Sequence, residues 1–324
     1  MRFLLHSLVV LATVCSSGLY LYAESVGNFD TARFKQMKSE NGLVLSWQPV
    51  SADDKAMQVE VLDDGGHVIA SLNVLRLVPE AERVSIHDVS ARPGQIIAVA
   101  AVYRKANHHL RPISTLLLFD FSGRLLSAFA LEPSREIDRL AVDDKSNVWT
   151  ITSSSGGKDP STVPMVIEYT PTGVVSKELL ARNMFPTHAR ETQDSLTIGR
   201  SFMGYDSHGL WFWLPGSTEL VAISTDDGRF AIVKTQLPKL MGSDHWVPVY
   251  IVREPSGRLV AQVRRSGSAE MLSYAWSAAA GWSRFESGKC EGAMLIGASE
   301  KGLLYLQYER DLSGQPRVCV LQPQ

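Results

Sequence analysis

The chain has 324 residues, of which 45% are hydrophobic and 20% are charged, and its formal net charge is -2. This composition is typical of a folded globular protein, long enough for two ordinary domains or for one large repetitive β-domain. The nearly neutral charge offers no basic surface to nucleic acids or acidic membranes, which excludes nucleic-acid binding as the main function.

The first 23 residues predict an export segment. Arg2 precedes the apolar run FLLHSLVVLATVC, which has the length of a signal-peptide core, and Ser16 to Gly18 supply the small residues typical of a cleavage site. Apolar character continues to Tyr22, so an uncleaved N-terminal membrane anchor stays open beside a cleaved signal peptide. We expect a periplasmic or secreted protein, released or held at the membrane by this segment, with residues 24–324 forming one domain.

A hairpin pattern recurs along the rest of the chain. Two apolar runs flank a turn glycine in VEVLDDGGHVIASL, LLLFDFSGRLLSAF, VIEYTPTGVVSKEL, VAISTDDGRFAIVK and YAWSAAAGWSRFES. The glycines, at positions 66, 123, 173, 228 and 281, are separated by 57, 50, 55 and 53 residues. Glycine suits a tight hairpin turn because it tolerates positive φ. The repeat therefore predicts one supersecondary unit copied about every fifty residues.

A second hairpin lies upstream of each turn glycine. Its second strand follows a short turn in NGLVLSW, PGQIIAVAAV, KSNVWTIT, SHGLWFWL, SGRLVAQV and EKGLLYLQY. One unit thus reads as four strands, here named a, b, c and d, and helical periodicity is limited to the stretch KELLARNMF. Runs such as IIAVAAV are typical of strands buried on both faces. Four strands per fifty residues predict an all-β fold, a β-propeller of six four-stranded blades.

The last unit is incomplete. It has strands a and b and then PRVCVLQ as strand c, after which the sequence stops at Gln324. We expect N-terminal residues between Leu19 and Asp30 to supply the missing outer strand.

The pattern of a turn, a small residue and an apolar-Trp pair, as in DDKSNVWTI and YDSHGLWFW, resembles the six-bladed propellers of the NHL, TolB-like and SMP-30 group. The SMP-30-like lactonases of that group hold a metal with acidic and amide side chains in the central channel. The glutamate motif that opens those enzymes has no counterpart in this N-terminus, so the resemblance implies the architecture and not the activity.

The connections between the strands differ in length. Those between a and b and between c and d are short, whereas those between b and c and from d to the next a include YRKANHHLRPIS, SSSGGKDPSTV and ARNMFPTHARETQDSLTIG. In an antiparallel blade the two kinds of connection lie at opposite ends of the strands, so one face of the ring carries the long loops. Loops on a rigid scaffold are where binding residues usually lie.

Polar side chains near the long-loop face are the candidate ligand-binding residues. They are Arg83, His87, Glu136, Asp138, His188, Arg190, Asp244, His245 and Trp246. Their mixture of acidic, imidazole and guanidinium groups suits a polar ligand or a metal. No metal site is firmly indicated; Glu136, Asp138 and Asp244 are the ligands if a divalent ion binds, and no other cofactor is expected.

Two functions are consistent with these features. The first is an exported, non-catalytic, monomeric propeller that binds a protein, a glycan or a small polar ligand on its long-loop face. The alternative is a metal-dependent hydrolase or lactonase of SMP-30-like type with an acidic site at the channel mouth. No catalytic residue is identified, because the sequence contains none of the usual hydrolase, phosphate-loop or metalloprotease motifs. The triad residue types Asp206, Ser207 and His208 fall in one tight turn, where adjacency does not make a triad.

The remaining chemistry-bearing residues predict structural roles. Cys290 and Cys319 are an even pair in an exported chain, which leaves a disulfide bond and two buried thiols as open alternatives. Five tryptophans fall on predicted strands, where packing between blades is expected rather than cofactor binding. They are Trp47, Trp149, Trp211, Trp213 and Trp276.

Overall fold

The structure is a computed structural model of the chain. It describes residues 36–48, 50–51, 58–63, 66–78, 81–105, 113–132, 135–154, 162–181, 184, 202–214, 219–235, 246–265, 270–307 and 317–322. The fold is all-β and propeller-like, with several four-stranded antiparallel sheets.

The first sheet contains β1 (Gln36–Glu40), β2 (Leu43–Trp47), β4 (Gln58–Leu62) and β5 (Val68–Asn73), and β4 pairs with β2 through Val59 and Trp47. The second contains β6 (Ala81–Arg92), β7 (Ile96–Lys105), β8 (Ile113–Phe119) and β9 (Leu125–Ala130), with the short β3 (Val50–Ser51) on β6. The third contains β10 (Arg135–Val142), β11 (Val148–Ser154), β12 (Pro164–Tyr169) and β13 (Val175–Ala181).

The fourth sheet contains β14 (Phe202–Asp206), β15 (Gly209–Leu214), β16 (Glu219–Ile223) and β17 (Phe230–Lys234). The fifth contains β18 (Trp246–Arg253), β19 (Leu259–Arg265), β20 (Met271–Ser277) and β21 (Gly281–Phe285). The last group contains β22 (Met294–Ser299), β23 (Gly302–Gln307) and β24 (Arg317–Leu321), and it is continuous with the first sheet, because β22 pairs with β1 and the seven strands form one sheet. Two short helices accompany the described strands, α1 (Val74–Leu77) and a 3-10 turn (Gly288–Cys290).

The strands follow the order predicted from the hairpin repeats. In the hairpin β8–β9, the first strand is buried on both faces and the second alternates between half-buried and exposed residues. The turn glycine Gly123 has a φ of +84°. Such a conformation is strained for a residue with a Cβ atom, which explains the glycine in each copy. The KELLARNMF stretch is not a helix at its start, because Val175–Ala181 pairs with Pro164–Tyr169 as the outer strand β13.

Successive sheets pack face to face and bury apolar side chains between them. One cluster joins the first and second sheets through Trp47, Val59, Val84 and Ile97, and others join each later sheet to the next. A further cluster joins the last group to the first sheet through Val44, Ile296 and Leu306. Ser39 of β1 also pairs with Gly297 of β22 in parallel orientation. The two ends of the described chain therefore meet.

The five tryptophans pack as predicted. Trp47, Trp149, Trp211, Trp213 and Trp276 all lie on strands, are buried, and belong to the clusters between neighbouring sheets. The indole of Trp149 donates a hydrogen bond to Asp143 at 3.0 Å, and that of Trp213 donates one to Thr235 at 3.0 Å. These residues stabilise the contacts between sheets.

Cys290 and Cys319 form a disulfide bond in the structure, with their Cα atoms 5.8 Å apart. The sequence left open a disulfide bond or two buried thiols, and the structure has the disulfide bond. The bond ties the 3-10 turn before β22 to β24, the outermost strand of the last group. The strand expected from residues between Leu19 and Asp30 lies outside the described residues, as does the export segment. Neither of the two described helices has the length and apolar sequence that a membrane span requires.

Candidate functional site

Three buried ionisable side chains lie together on the inner strands β1 and β6. We call Lys38, Glu40 and Asp88 the central charge cluster; their exposed fractions are 7%, 8% and 4%. The Lys38 ammonium lies 3.2 Å from Glu40 Oε2 and 3.4 Å from both carboxylate oxygens of Asp88. It also donates a hydrogen bond to the carbonyl oxygen of Leu140 at 3.2 Å. One cation thus joins inner strands of three successive sheets.

The two carboxylates are held by backbone N–H groups. Glu40 Oε1 accepts a hydrogen bond from Ala91 at 2.7 Å. Asp88 accepts one from Val89 at 2.9 Å and one from Leu140 at 2.8 Å. Burial of a charge costs free energy unless the charge is paired and hydrogen-bonded, and these contacts offset the desolvation cost of the cluster. The central charge cluster therefore links neighbouring sheets.

Burial dominates the electrostatics of the cluster and its surroundings. It raises the pKa of Glu40 above the ordinary 4.5, and the nearby Lys38 charge opposes that shift. Burial also raises the pKa of Tyr250 on β18 well above 10, and the negative charges of Asp88 and Glu40 add to the effect. Loss of water is the common cause, since it disfavours the charged form of each acid. At neutral pH the Tyr250 hydroxyl stays protonated beside these carboxylates.

A pH-dependent stability follows from Glu40. Because its folded pKa lies above its unfolded value, the folded state binds this proton more tightly. The stability that the group contributes is present below the ordinary carboxyl range and is lost as the pH rises through the raised pKa. We expect the free energy of unfolding of wild type minus that of Glu40→Gln to decrease as the pH increases above about 4.5. Urea denaturation over a pH series measures this difference.

A matched control for that experiment is Glu300→Gln. Glu300 is exposed in the short turn between β22 and β23, so its replacement should leave the pH dependence of stability unchanged. A wild-type minus Glu40→Gln difference that stays level or increases with pH would contradict the assignment of a raised pKa to Glu40.

Three of the predicted binding residues lie close together, but on strands rather than in loops. His87 lies on β6, and Glu136 and Asp138 lie on the neighbouring inner strand β10. The pairing register shifts between Ile86 and Asp88 and again between Ile137 and Arg139, so His87 and Asp138 each occupy a β-bulge. Bulges change the direction of side chains and are frequent beside functional sites. His87 and Asp138 are both buried, whereas the sequence placed them at an open channel mouth.

The imidazole of His87 is engaged by the neighbouring sheet. Its Nδ1 atom lies 3.2 Å from the carbonyl oxygen of Ile137. Burial lowers the pKa of His87; the Ile137 carbonyl and the Glu136 charge act in the opposite direction. A mostly neutral imidazole that donates to a backbone carbonyl is consistent with a structural contact between β6 and β10.

For the other predicted binding residues, the structure describes the backbone alone or does not describe the residue. Arg83 lies in β6 and Trp246 begins β18, and the structure describes their backbone alone. His188, Arg190, Asp244 and His245 lie outside the described residues. Their roles in ligand binding stay predictions. Among the residues that the structure does describe, no group of three His, Cys, Asp or Glu side chains is arranged to hold a metal.

The residues of the Asp206–His208 turn are used in contacts between sheets. Both carboxylate oxygens of Asp206 accept hydrogen bonds from Arg253, at 2.6 and 2.7 Å. The His208 ring nitrogen Nε2 lies 2.8 Å from the carbonyl oxygen of Pro255. Asp206 and His208 therefore bind the turn of the next sheet, in agreement with the exclusion of a catalytic triad.

The central charge cluster was not among the residues predicted from the sequence. A signal was available: Lys38 and Asp88 are 50 residues apart, and Asp88 and Leu140 are 52 apart, which is the period of the hairpin repeat. Charged residues inside otherwise apolar inner strands, separated by one repeat, would have indicated side chains that face each other across adjacent sheets.

The strand arrangement defines an all-β, propeller-like protein. No protein-family model matches the chain, and no curated protein matches its sequence. Similar solved structures include a protein of unknown function from Bacteroides caccae, which is 14% identical, with 78% of this chain and 80% of that chain covered and a TM-score of 0.43. A luciferin-regenerating enzyme is 9% identical, with 90% and 94% covered and a TM-score of 0.46. A prolyl endopeptidase is 13% identical, with 88% of this chain but 41% of that chain covered and a TM-score of 0.43. At these identities the likeness concerns architecture alone.

Proposed function

We propose that this protein is an exported, non-catalytic β-propeller that binds a protein, a glycan or a small polar ligand through the face that carries its long loops. The observation that carries the proposal is the asymmetry of the connections. From the strand bounds, the a–b turns contain two to five residues and the c–d turns three to six. The connections at the other end contain four to 20, and the longest, residues 182–201, joins β13 to β14. A rigid ring with long segments on one face is the usual scaffold for a binding site.

The central charge cluster supports the same proposal. Its cation and its two carboxylates bond to one another and to the backbone of adjacent sheets. These contacts give the cluster a structural role, and we therefore assign ligand recognition to the long loops. The proposal includes a closed ring of six blades, of the NHL, TolB-like and SMP-30 type, in which each described group of strands is one blade. It also includes export of the chain by residues 1–23.

The alternative is a metal-dependent hydrolase. Its support is that the predicted residues His87, Glu136 and Asp138 lie on two neighbouring inner strands, β6 and β10, although the described residues alone form no metal-binding group of three; Asp244 would have to add a ligand. Elemental mass spectrometry of the purified chain 24–324, before and after dialysis against a chelator, distinguishes the two functions. We expect no stoichiometric divalent ion and an unchanged melting temperature. A stoichiometric ion whose removal lowers the melting temperature would favour the hydrolase.

A direct test of binding compares two faces of the ring. The chain 24–324 is screened on glycan and peptide arrays as wild type, as Asp244→Ala/His245→Ala, and as Glu300→Ala, an exposed residue of an a–b turn. We expect the loop double variant to lose the array signal while its free energy of unfolding changes by less than about 0.5 kcal/mol. The Glu300→Ala variant should bind like wild type. Equal loss in both variants, or none in the loop variant, would contradict binding on the long-loop face.

A further inference from the structure

Four a–b turns surround a cavity at the end of the strands opposite the long loops. A cavity of about 470 Å³ is lined by Asn41, Arg92, Pro93 and Gln95. It adjoins one of about 290 Å³ lined by Asn41, Arg92, Asp144, Tyr205, Asp206 and Ser207. We call these two volumes together the turn-face cavity. Asn41 and Arg92 line both parts.

The Arg92 side chain is held in place by the β1–β2 turn and by strand β14. Its guanidinium donates a hydrogen bond to Asn41 Oδ1 at 3.1 Å, and its Cζ atom lies 5.8 Å from the centre of the Tyr205 ring. Asn41 adopts a φ of +52°, and its amide donates to the carbonyl oxygen of Ala91 at 3.0 Å. Because the amide and the ring are themselves fixed, the guanidinium is oriented before any ligand arrives.

Arg253 has a carboxylate partner, Asp206, whereas Arg92 has none among the described residues. Arg253 lies 5.7 Å from the centre of the Trp211 ring, and it donates to both carboxylate oxygens of Asp206. Arg92 has the same arrangement of a guanidinium beside an aromatic ring, but its hydrogen-bond acceptor is a neutral amide. In the part of the chain that the structure describes, no carboxylate forms an ion pair with Arg92. Among the described residues, its charge and the N–H donors other than the one bonded to Asn41 are therefore unpaired, which suits an anion.

We propose that the turn-face cavity binds a small hydroxylated monocarboxylate, such as a sugar acid, with the carboxylate on Arg92. A guanidinium recognises a carboxylate through two parallel hydrogen bonds. Asp144 lines the same cavity as Tyr205 and adds a carboxyl group to it. Its oxygens can accept hydrogen bonds from ligand hydroxyls, and a carboxylate there repels a phosphate dianion more strongly than a monocarboxylate. The site is distinct from the long-loop face and does not depend on the function proposed above.

The test is a titration of the ¹⁵N-labelled chain 24–324, followed by NMR on the arginine Nε–Hε signals. The probes are D-glucuronate, D-galacturonate and lactate, with D-glucose and inorganic phosphate as comparisons. We expect at least one of the three acids to shift the Arg92 signal at concentrations up to about 10 mM and D-glucose to have no effect. The Arg92→Lys variant identifies the Arg92 signal by its loss.

Variants separate a specific site from general attraction of anions. Arg92→Met should weaken acid binding at least about tenfold, and Arg92→Lys should weaken it less but measurably, because lysine keeps the charge and loses the paired donors. The matched control Arg124→Met removes an exposed arginine from a c–d turn and should bind like wild type. Melting temperatures verify that each variant is folded. Binding of none of the acids, stronger binding of phosphate, or equal binding by Arg92→Met would overturn the proposal.

Discussion

Replacing Lys38 with methionine is expected to lower the free energy of unfolding by about 3–5 kcal/mol. The variant leaves Glu40 and Asp88 buried at 8% and 4% exposure without the cation that lies between them. Two carboxylates that are desolvated and close together repel each other, and water cannot replace the ammonium in this environment. Urea denaturation at neutral pH, followed by fluorescence of the buried tryptophans, measures the loss.

Two further variants test whether the loss comes from unpaired charge. The triple variant Lys38→Met/Glu40→Gln/Asp88→Asn removes the cation together with both negative charges, and it should recover much of the stability lost in the single variant. Lys145→Met breaks an ion pair with Asp226 in which both side chains are largely exposed, and its unfolding midpoint should match that of wild type. A loss in Lys145→Met similar to that in Lys38→Met would contradict the importance of burial.

Replacing Gly297 with alanine is expected to destabilise the junction of the first and last sheets, by about 3 kcal/mol. An added Cβ atom would overlap Ser39 Cβ and lie 2.6 Å from the Ser39 carbonyl oxygen. Ser39 pairs with Gly297 where β1 meets β22. Because the crowded atoms include backbone, β1 must move away from β22, and the apolar contacts between the two sheets loosen.

The location of the destabilised strands distinguishes a loosened β1–β22 junction from strain spread over the whole protein. Amide hydrogen exchange should become faster mainly in β1 and β22 of Gly297→Ala. The control is Gly204→Ala, also on an inner strand, where the added Cβ would instead approach the Trp211 side chain at 3.0 Å; it should be destabilised less and should leave β1 and β22 protected. Uniformly faster exchange in Gly297→Ala would show that Gly297 does not govern the junction.

The repeated unit could be predicted from the sequence because its determinants are local. A hairpin needs two apolar runs and a residue that adopts positive φ between them, and both are visible within about 14 residues. Gly66, Gly123, Gly173, Gly228 and Gly281 all have positive φ in the structure. The burial of β8 on both faces likewise follows from its continuous apolar run. The propeller-like architecture then follows from copying such units.

The candidate site was less predictable, because proximity to a loop in sequence does not determine the exposure of a side chain. His87 and Asp138 were placed at a channel mouth, yet each lies within a long inner strand, buried at a bulge. A bulge is not visible in a single strand's sequence, since it depends on the register of the partner strand. The disulfide bond between Cys290 and Cys319 was left open for a related reason, because it requires β24 to lie beside the turn before β22.

By itself, the sequence determined the elements of this protein: hairpins with fixed turns, buried inner strands and polar connections of unequal length. Only the tertiary structure decided which distant side chains meet. The union of Lys38, Asp88 and the backbone of Leu140, and the placement of Arg92 beside Asn41 and Tyr205, join residues at least fifty positions apart. The physical reason is that local conformation is governed by neighbouring residues, whereas the pairing of buried charges is governed by how successive sheets pack.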